Sequence, residues 1–276
     1  MTTLDAVRDH YRATGLTDRL RAALAVFGPE GQRLTPQQLA PLDQFHSRGL
    51  AATAELAKLA GIGAGMAVVD IGGGIGGPAR FLADACGCHV TAVDLSPPFV
   101  EAARYLNART GLSEAVAFEA ASALDLPFSE QQFDVALMQH VAMNIHDRAR
   151  LYGEIRRVLK DGGRFATFDV VSHLGEPHYP VPWARSSATS FLLNADATRA
   201  AIERAGFRVL AWKDDTEAAK AWIAKLRESG PPPAPHLGLV MGPDFAELMG
   251  NLGRSLMEGR IGIVMAVFEA SPSAAG

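Results

Sequence analysis

The run Val68-Val69-Asp70-Ile71-Gly72-Gly73-Gly74-Ile75-Gly76-Gly77-Pro78 constrains this chain of 276 residues more than any other stretch. Apolar residues lead into glycines and then into Pro78, and proline is favoured at the first position of a helix. Glycine tolerates left-handed backbone and lets a ligand touch the main chain. The order therefore predicts a buried strand, a bend and a helix, with the bend open to a ligand. Gly72, Gly74 and Gly77 also satisfy the G-x-G-x-x-G spacing of dinucleotide-binding loops. By itself the bend does not separate a nucleotide site from a structural turn.

The remainder of the chain repeats this alternation. Ala67–Ile71, Val90–Val93, Val116–Phe118, Val135–Met138 and Phe165–Val171 have strand length, with helix-length segments at Pro78–Ala85, Phe99–Arg109 and Arg148–Leu159. Such alternation predicts a parallel sheet with right-handed crossover helices, and strands apolar on both sides belong inside it. Phe207–Trp212 and Ile261–Phe268 read as two further strands, separated by a helix at Thr216–Glu228 and an extended turn at Pro231-Pro232-Pro233-Ala234-Pro235. Before the sheet the pattern is helical. Leu16, Leu20, Leu24 and Phe27 form one apolar face, and Leu42, Phe45, Leu50, Ala54 and Leu56 form a second. The expected organisation is an N-terminal helical cap over 1–60 and one α/β domain over 61–276, with lid insertions near 172–195 and 214–260.

Composition narrows the function classes. A net charge of −4 leaves no electrostatic footprint for nucleic acid. No segment reaches the ~18–20 consecutive apolar residues of a membrane span. The first residues carry charges where a secretory leader needs an apolar core. Two cysteines, Cys86 and Cys88, are too few for a disulfide framework or a structural zinc site. A cytoplasmic protein working on small molecules, without nucleic-acid or membrane partners, is the expectation; self-association is left open. His173, Glu176 and His178 are interrupted by Gly175 and Pro177, so no metal site is expected there.

Two carboxylates refine the reading of the bend. Asp94 closes the second strand, where an acidic residue meets ribose hydroxyls in nucleotide-binding sheets. An Asp at that place also suits the start of the following helix, and the spacing alone allows both. Asp70 precedes Gly72 by two residues; its charge repels a pyrophosphate and attracts a sulfonium or an ammonium.

The Asp70–Gly77 bend, the Asp94 strand end, Phe133-Asp134-Val135-Ala136-Leu137 and Leu159-Lys160-Asp161-Gly162-Gly163 follow one another in an order that resembles the class I S-adenosylmethionine-dependent methyltransferases. The resemblance spans about Leu42–Val171. Asp43-Gln44-Phe45-His46 and Pro180-Val181-Pro182-Trp183 carry a looser likeness to bacterial small-molecule methyltransferases, including sarcosine/dimethylglycine methyltransferases. It implies a Rossmann-like seven-stranded, mostly parallel sheet with an antiparallel last strand. It also implies S-adenosyl-L-methionine as cofactor and S-adenosyl-L-homocysteine as product. Gly72, Gly73, Gly74 and Gly76 then pass under the methionine part, with Asp70 and Gln139 near it and Asp94 and Leu95 at the ribose. Ser122 and Ala123 stand where the family often has an acidic residue near adenine, and Asp161 replaces a usual proline. Tyr11 and His46 are implied to close over the cofactor from the cap.

The methyl acceptor belongs at the carboxyl ends of the strands. That rule points to His140 and Asn144 after the fourth strand and to the loop holding His178, Tyr179 and Trp183 after the fifth. His140 is the candidate base, while Tyr179 and Trp183 offer ring faces to an apolar or cationic acceptor. The first functional expectation is N-methylation of an amine. The alternatives are C- or O-methylation of a quinone, phenol or other secondary metabolite, a non-catalytic S-adenosylmethionine-binding module, and a nicotinamide-dependent oxidoreductase.

Overall fold

Seven strands form one sheet: β1 (Ala67–Ile71), β2 (His89–Asp94), β3 (Val116–Ala120), β4 (Phe133–Gln139), β5 (Leu159–Ser172), β6 (Phe207–Asp214) and β7 (Ile261–Ala270). Their order is β3-β2-β1-β4-β5-β7-β6. The computed structural model describes residues 14–230 and 235–272. Strands β1 to β5 pair in parallel, and β7 runs antiparallel between β5 and β6. Because successive strand residues point to opposite faces, Val68 joins the core under one face and Val69 the core under the other. Burial on both faces explains why these strands read as unbroken apolar runs.

The helices are α1 (Leu16–Leu24), α2 (Pro36–Asp43), α3 (Leu50–Ala60), α4 (Gly77–Cys86), α5 (Pro97–Thr110), α6 (Arg148–Val158), α7 (Ala195–Arg204), α8 (Thr216–Ser229), α9 (Gly238–Met241) and α10 (Phe245–Met257). Among the described residues no helix is long and apolar enough to cross a membrane. Strand order reverses at β1, which lies between β2 and β4. In an open α/β sheet that reversal opens a crevice at the carboxyl ends of the strands.

The cap departs from the expected second apolar face. Thr35 and Gln38 form a reciprocal capping box that starts α2. The chain then leaves the helix, passing Arg48 at φ 64 and Gly49 at φ 50 before α3 begins. Ala54 is exposed; α3 instead buries Ala52, Thr53, Leu56, Ala57 and Ala60. The break delivers Gln44, Phe45, His46 and Ser47 to the sheet's crevice. Helices α7, α9 and α10 also lie beyond the expected set. Asn194 caps α7 by accepting from Ala197 N–H, and α10 buries Leu248, Leu252 and Leu256. Residues 231–234 of the expected proline turn at 231–235, the end of the tail from 273 and Tyr11 lie outside the described residues.

Candidate active site

The glycine bend is fixed by the two strands it joins. Gly72 N–H and Gly73 N–H both donate to the Val93 carbonyl, at 2.8 and 3.0 Å. Gly72 has φ 70, and a Cβ there would run into the Val141 side chain, so conformation and packing both demand glycine. Gly76 differs from its neighbours. It stands just before α4 with φ 82, and a Cβ would press on the Phe118 ring and the Arg80 guanidinium. It does not line the cavity, and Phe118 and Arg80 crowd it.

An interior ion pair fastens the cap turn to this bend. Arg80 of α4 meets Asp43 at 2.8 Å with both side chains buried, and it also donates to the Ile75 carbonyl inside the bend at 2.8 Å. Beyond it, His46 Nδ1 donates to the Ser47 carbonyl at 3.2 Å. Its Nε2 lies 3.2 Å from Gln44 Oε1 and 3.1 Å from Thr53 Oγ1. Thr53 in turn donates to Gln139 Oε1 at 3.2 Å, connecting the cap to the end of β4. Burial pushes His46 down to about 4, and burial with His46 nearby holds His140 well below the ordinary imidazole range. Both rings are uncharged at neutral pH.

The two carboxylates behave differently. Asp94 accepts from Gly74 N–H at 2.9 Å and from Ser96 N–H at 2.8 Å, so it serves the bend and the start of α5 together. Burial still pushes it up to about 6. Asp70 is buried, and its Oδ2 has no hydrogen-bond partner. Burial, and secondarily the Asp94 charge, push it up to about 7. A buried carboxylate oxygen left without a donor is costly unless a ligand supplies one.

These groups share one cavity of about 1510 Å³, counting its open mouth. Asp70, Gly72, Gly73, Gly74, Asp94, Leu95, Ser122, Ala123, Gln139 and His46 line it, together with His140 and Asn144. Its lining also includes the apolar side chains of Trp183, Trp222, Leu237, Met241, Phe245, Met249 and Leu252. No Lys or Arg is among the described residues lining it. Two expected acceptor contacts fall elsewhere. His178 pairs with Glu258 at 2.6 Å, and Tyr179 is half-buried against the core, its phenol raised by burial. The Tyr179-Pro180 peptide is cis. Trp183 does reach the cavity, its Nε1–H held by Ser190 Oγ at 2.9 Å. Among the described residues no three His, Cys, Asp or Glu side chains converge as a metal-binding group.

Trp222, Met241, Phe245 and Met249 were not foreseen as cavity residues. Phe245, Met249 and Leu252 follow one another at i, i+4 and i+7, a helical stripe that the sequence does contain. It reads as ordinary core until the roof's position over the crevice is known.

The sheet order, the glycine bend and the crevice at its carboxyl edge define a class I methyltransferase fold, and residues 69–167 match a family described as a methyltransferase domain. Sterol methyltransferase-like 1 of Botryococcus braunii is 34% identical over 117 residues, covering 42% of this chain and 30% of that protein. Methyltransferase GfsG of Streptomyces halstedii is 29% identical over 209 residues, covering 72% of this chain and 71% of that protein. Geranyl diphosphate C-methyltransferase from Streptomyces coelicolor A3(2) superposes with a TM-score of 0.69 at 18% identity, covering 98% of each chain; this is a likeness of fold. The chain thus spans under a third of the sterol methyltransferase-like relative's length and most of GfsG.

Proposed function

We propose that this protein transfers a methyl group from S-adenosylmethionine to an apolar small molecule. The observation that carries the reading is the unpartnered Asp70 Oδ2 beside a side-chain-free bend, in a cavity that is also lined by a large apolar set. The residues fit the cofactor. Asp70 offers an acceptor to the ammonium of its methionine part, and Asp94 to its ribose hydroxyls. Gly72, Gly73 and Gly74 give room for close main-chain approach, and Leu95, Ser122 and Ala123 flank the adenine side. When bound, the cofactor supplies an electrophilic methyl carbon on a positively charged sulfur. The chain's own work is to align the acceptor with that carbon and to keep water out, which supplies much of the rate in a displacement of this kind. Residues 43–47 of the cap and the described residues of the segments near 172–195 and 214–260 close the cavity and do so.

The lining also bears on the acceptor. A methylated glycine would bring its carboxylate against Trp183, Trp222 and Phe245, with no described Lys or Arg lining the cavity to pair with it. An unpaired buried charge is strongly disfavoured. C- or O-methylation of an apolar skeleton is therefore favoured over the amine first expected, and the sterol methyltransferase-like relative supports the same direction. A nicotinamide dinucleotide is disfavoured because Asp70, beside the glycine bend, would face its pyrophosphate. Calorimetry distinguishes these readings: S-adenosylmethionine and S-adenosylhomocysteine should bind at micromolar concentration and NAD should not. Binding of NAD alone overturns the proposal. Cofactor binding without methyl transfer to any of a panel of sterols, polyprenols, quinones and phenols would leave a non-catalytic binding module instead.

A further inference from the structure

We propose that Arg48 is a positioning residue for methyl transfer, tying the cavity-lining strap at 44–47 to the start of α8. A cofactor seated on the glycine bend then steadies α8 and the Trp222 it carries; this rests on the methyl-transfer reading above. Gln44, Phe45, His46 and Ser47 all line the cavity, and Arg48 follows them directly. The strap packs on the bend, where a Cβ on Gly74 would meet the Phe45 ring at 3.5 Å. Its first end is fixed by the buried Asp43–Arg80 pair at 2.8 Å. Arg48 fixes the other end. Its guanidinium forks to Asp215 Oδ2 at 2.5 Å and to Glu55 Oε2 at 2.7 Å. Lys213 Nζ completes the cluster, 2.5 Å from Glu55 Oε1 and 2.9 Å from Asp215 Oδ1.

Asp215 is turned toward this joint and away from its own helix. It occupies the N-cap position of α8, yet its side chain makes no capping bond; Asp214 accepts from the Thr216 N–H at 2.9 Å instead. The Asp215 carboxylate is wholly buried, and its N–H donates to the Ile263 carbonyl of β7 at 2.8 Å. Arg48 has φ 64, a left-handed conformation uncommon for a residue with a side chain. Such backbone persists where the surroundings over-determine it, and the fork between Asp215 and Glu55 does so. About two turns further along α8 stands Trp222, in the cavity wall. The same helix packs closely on α10: a Cβ on Gly253 would come within 3.3 Å of Ile223. Met249 and Leu252 of α10 line the cavity as well.

A strap pinned at both ends is held ready before the cofactor arrives. Without the outer pin the ligand must itself order the strap, and its apparent affinity falls by the fraction of molecules that are ready. The pin also carries order the other way. Neither Asp215 nor Thr216 lines the cavity, so a ligand on the bend steadies them by relay through Arg48.

The test uses the full chain, with and without saturating S-adenosylhomocysteine, and amide hydrogen exchange read by mass spectrometry. In wild type the ligand should slow exchange in residues 44–49 and also in residues 215–219. Arg48→Asn tolerates left-handed backbone but lacks the guanidinium. It should keep the ligand's protection at the strap and lose it at 215–219, and Arg48→Lys should restore part of the loss. Affinity for S-adenosylhomocysteine should fall about tenfold in Arg48→Asn and in Asp215→Ala, and no further in the double variant. A merely structural role would lower the melting temperature and leave the relay in place. Absence of protection at 215–219 in wild type, undiminished protection there in Arg48→Asn, or an about hundredfold loss in the double variant overturns the proposal. Failure of wild type to bind S-adenosylhomocysteine at all sinks the methyltransferase reading itself.

Discussion

Asp70 is held in the folded protein at a pKa of about 7 against an ordinary 3.8, and Asp94 at about 6. Both are raised, so the native state binds more protons than the unfolded chain between those limits. Their contribution to stability is complete at acid pH below the unfolded values and is lost as pH rises through 6 and 7. The ligand-free protein should therefore lose stability from this pair between about pH 4 and pH 7. Asp70→Asn should melt a few degrees higher than wild type at pH 8, by on the order of a few kcal/mol, and bind S-adenosylmethionine at least about tenfold more weakly. Thermal melts with and without cofactor check both signs, and a variant that is destabilised at pH 8 contradicts the assignment. At this scale the sequence already carried the carboxylates and Gly72, Gly73 and Gly74, because strand ends and bend chemistry are local. The surroundings of Gly76, His178 and Tyr179 were not legible, because their neighbours (Phe118, Glu258 and the core around Tyr179) come from distant parts of the chain.

Among the elements, the joint between α2 and α4 has the sharpest consequence. Arg80 and Asp43 are both buried at 2.8 Å, and Arg80 also binds the Ile75 carbonyl of the bend. Arg80→Met leaves Asp43 as a buried charge without its partner and should cost about 3–5 kcal/mol in urea denaturation. Arg80→Met with Asp43→Leu should recover much of it. Equal losses in the single and double variants would show that the pair does not act as a unit. The strands were readable because burial on both faces leaves an unbroken apolar signature. The cap was less so: its helix ends depend on the Thr35 box and on left-handed Arg48 and Gly49, which apolar spacing does not register. Helix α7 escaped notice because its buried stripe is short, only Thr198, Ala201 and Ile202.

For the molecule as a whole, the bend and strand ends bring Asp70 and Asp94 to the cavity, and the segments near 172–195 and 214–260 bring apolar side chains such as Trp183, Trp222 and Phe245. The first contribution was legible because one bend and two strand ends build it; the second required knowing where α8, α9 and α10 come to rest. Phe245→Ala and Trp222→Ala should each raise KM for an apolar acceptor by about 10- to 100-fold, corresponding to ~1.5–3 kcal/mol of lost apolar contact. S-adenosylhomocysteine affinity should not change. Loss of cofactor binding in both variants would place the roof over the wrong ligand.

The central claim is that Asp70 answers a cationic cofactor group, and proton linkage tests it most directly. Calorimetric titration with S-adenosylmethionine at pH 6.5, repeated in buffers of different ionisation enthalpy, counts protons exchanged on binding. Asp70, with a pKa of about 7, is about three-quarters protonated at that pH and must ionise to pair with the ligand, so wild type should release most of a proton and Asp70→Asn clearly less. Binding without proton release, or equal release by the variant, contradicts the account.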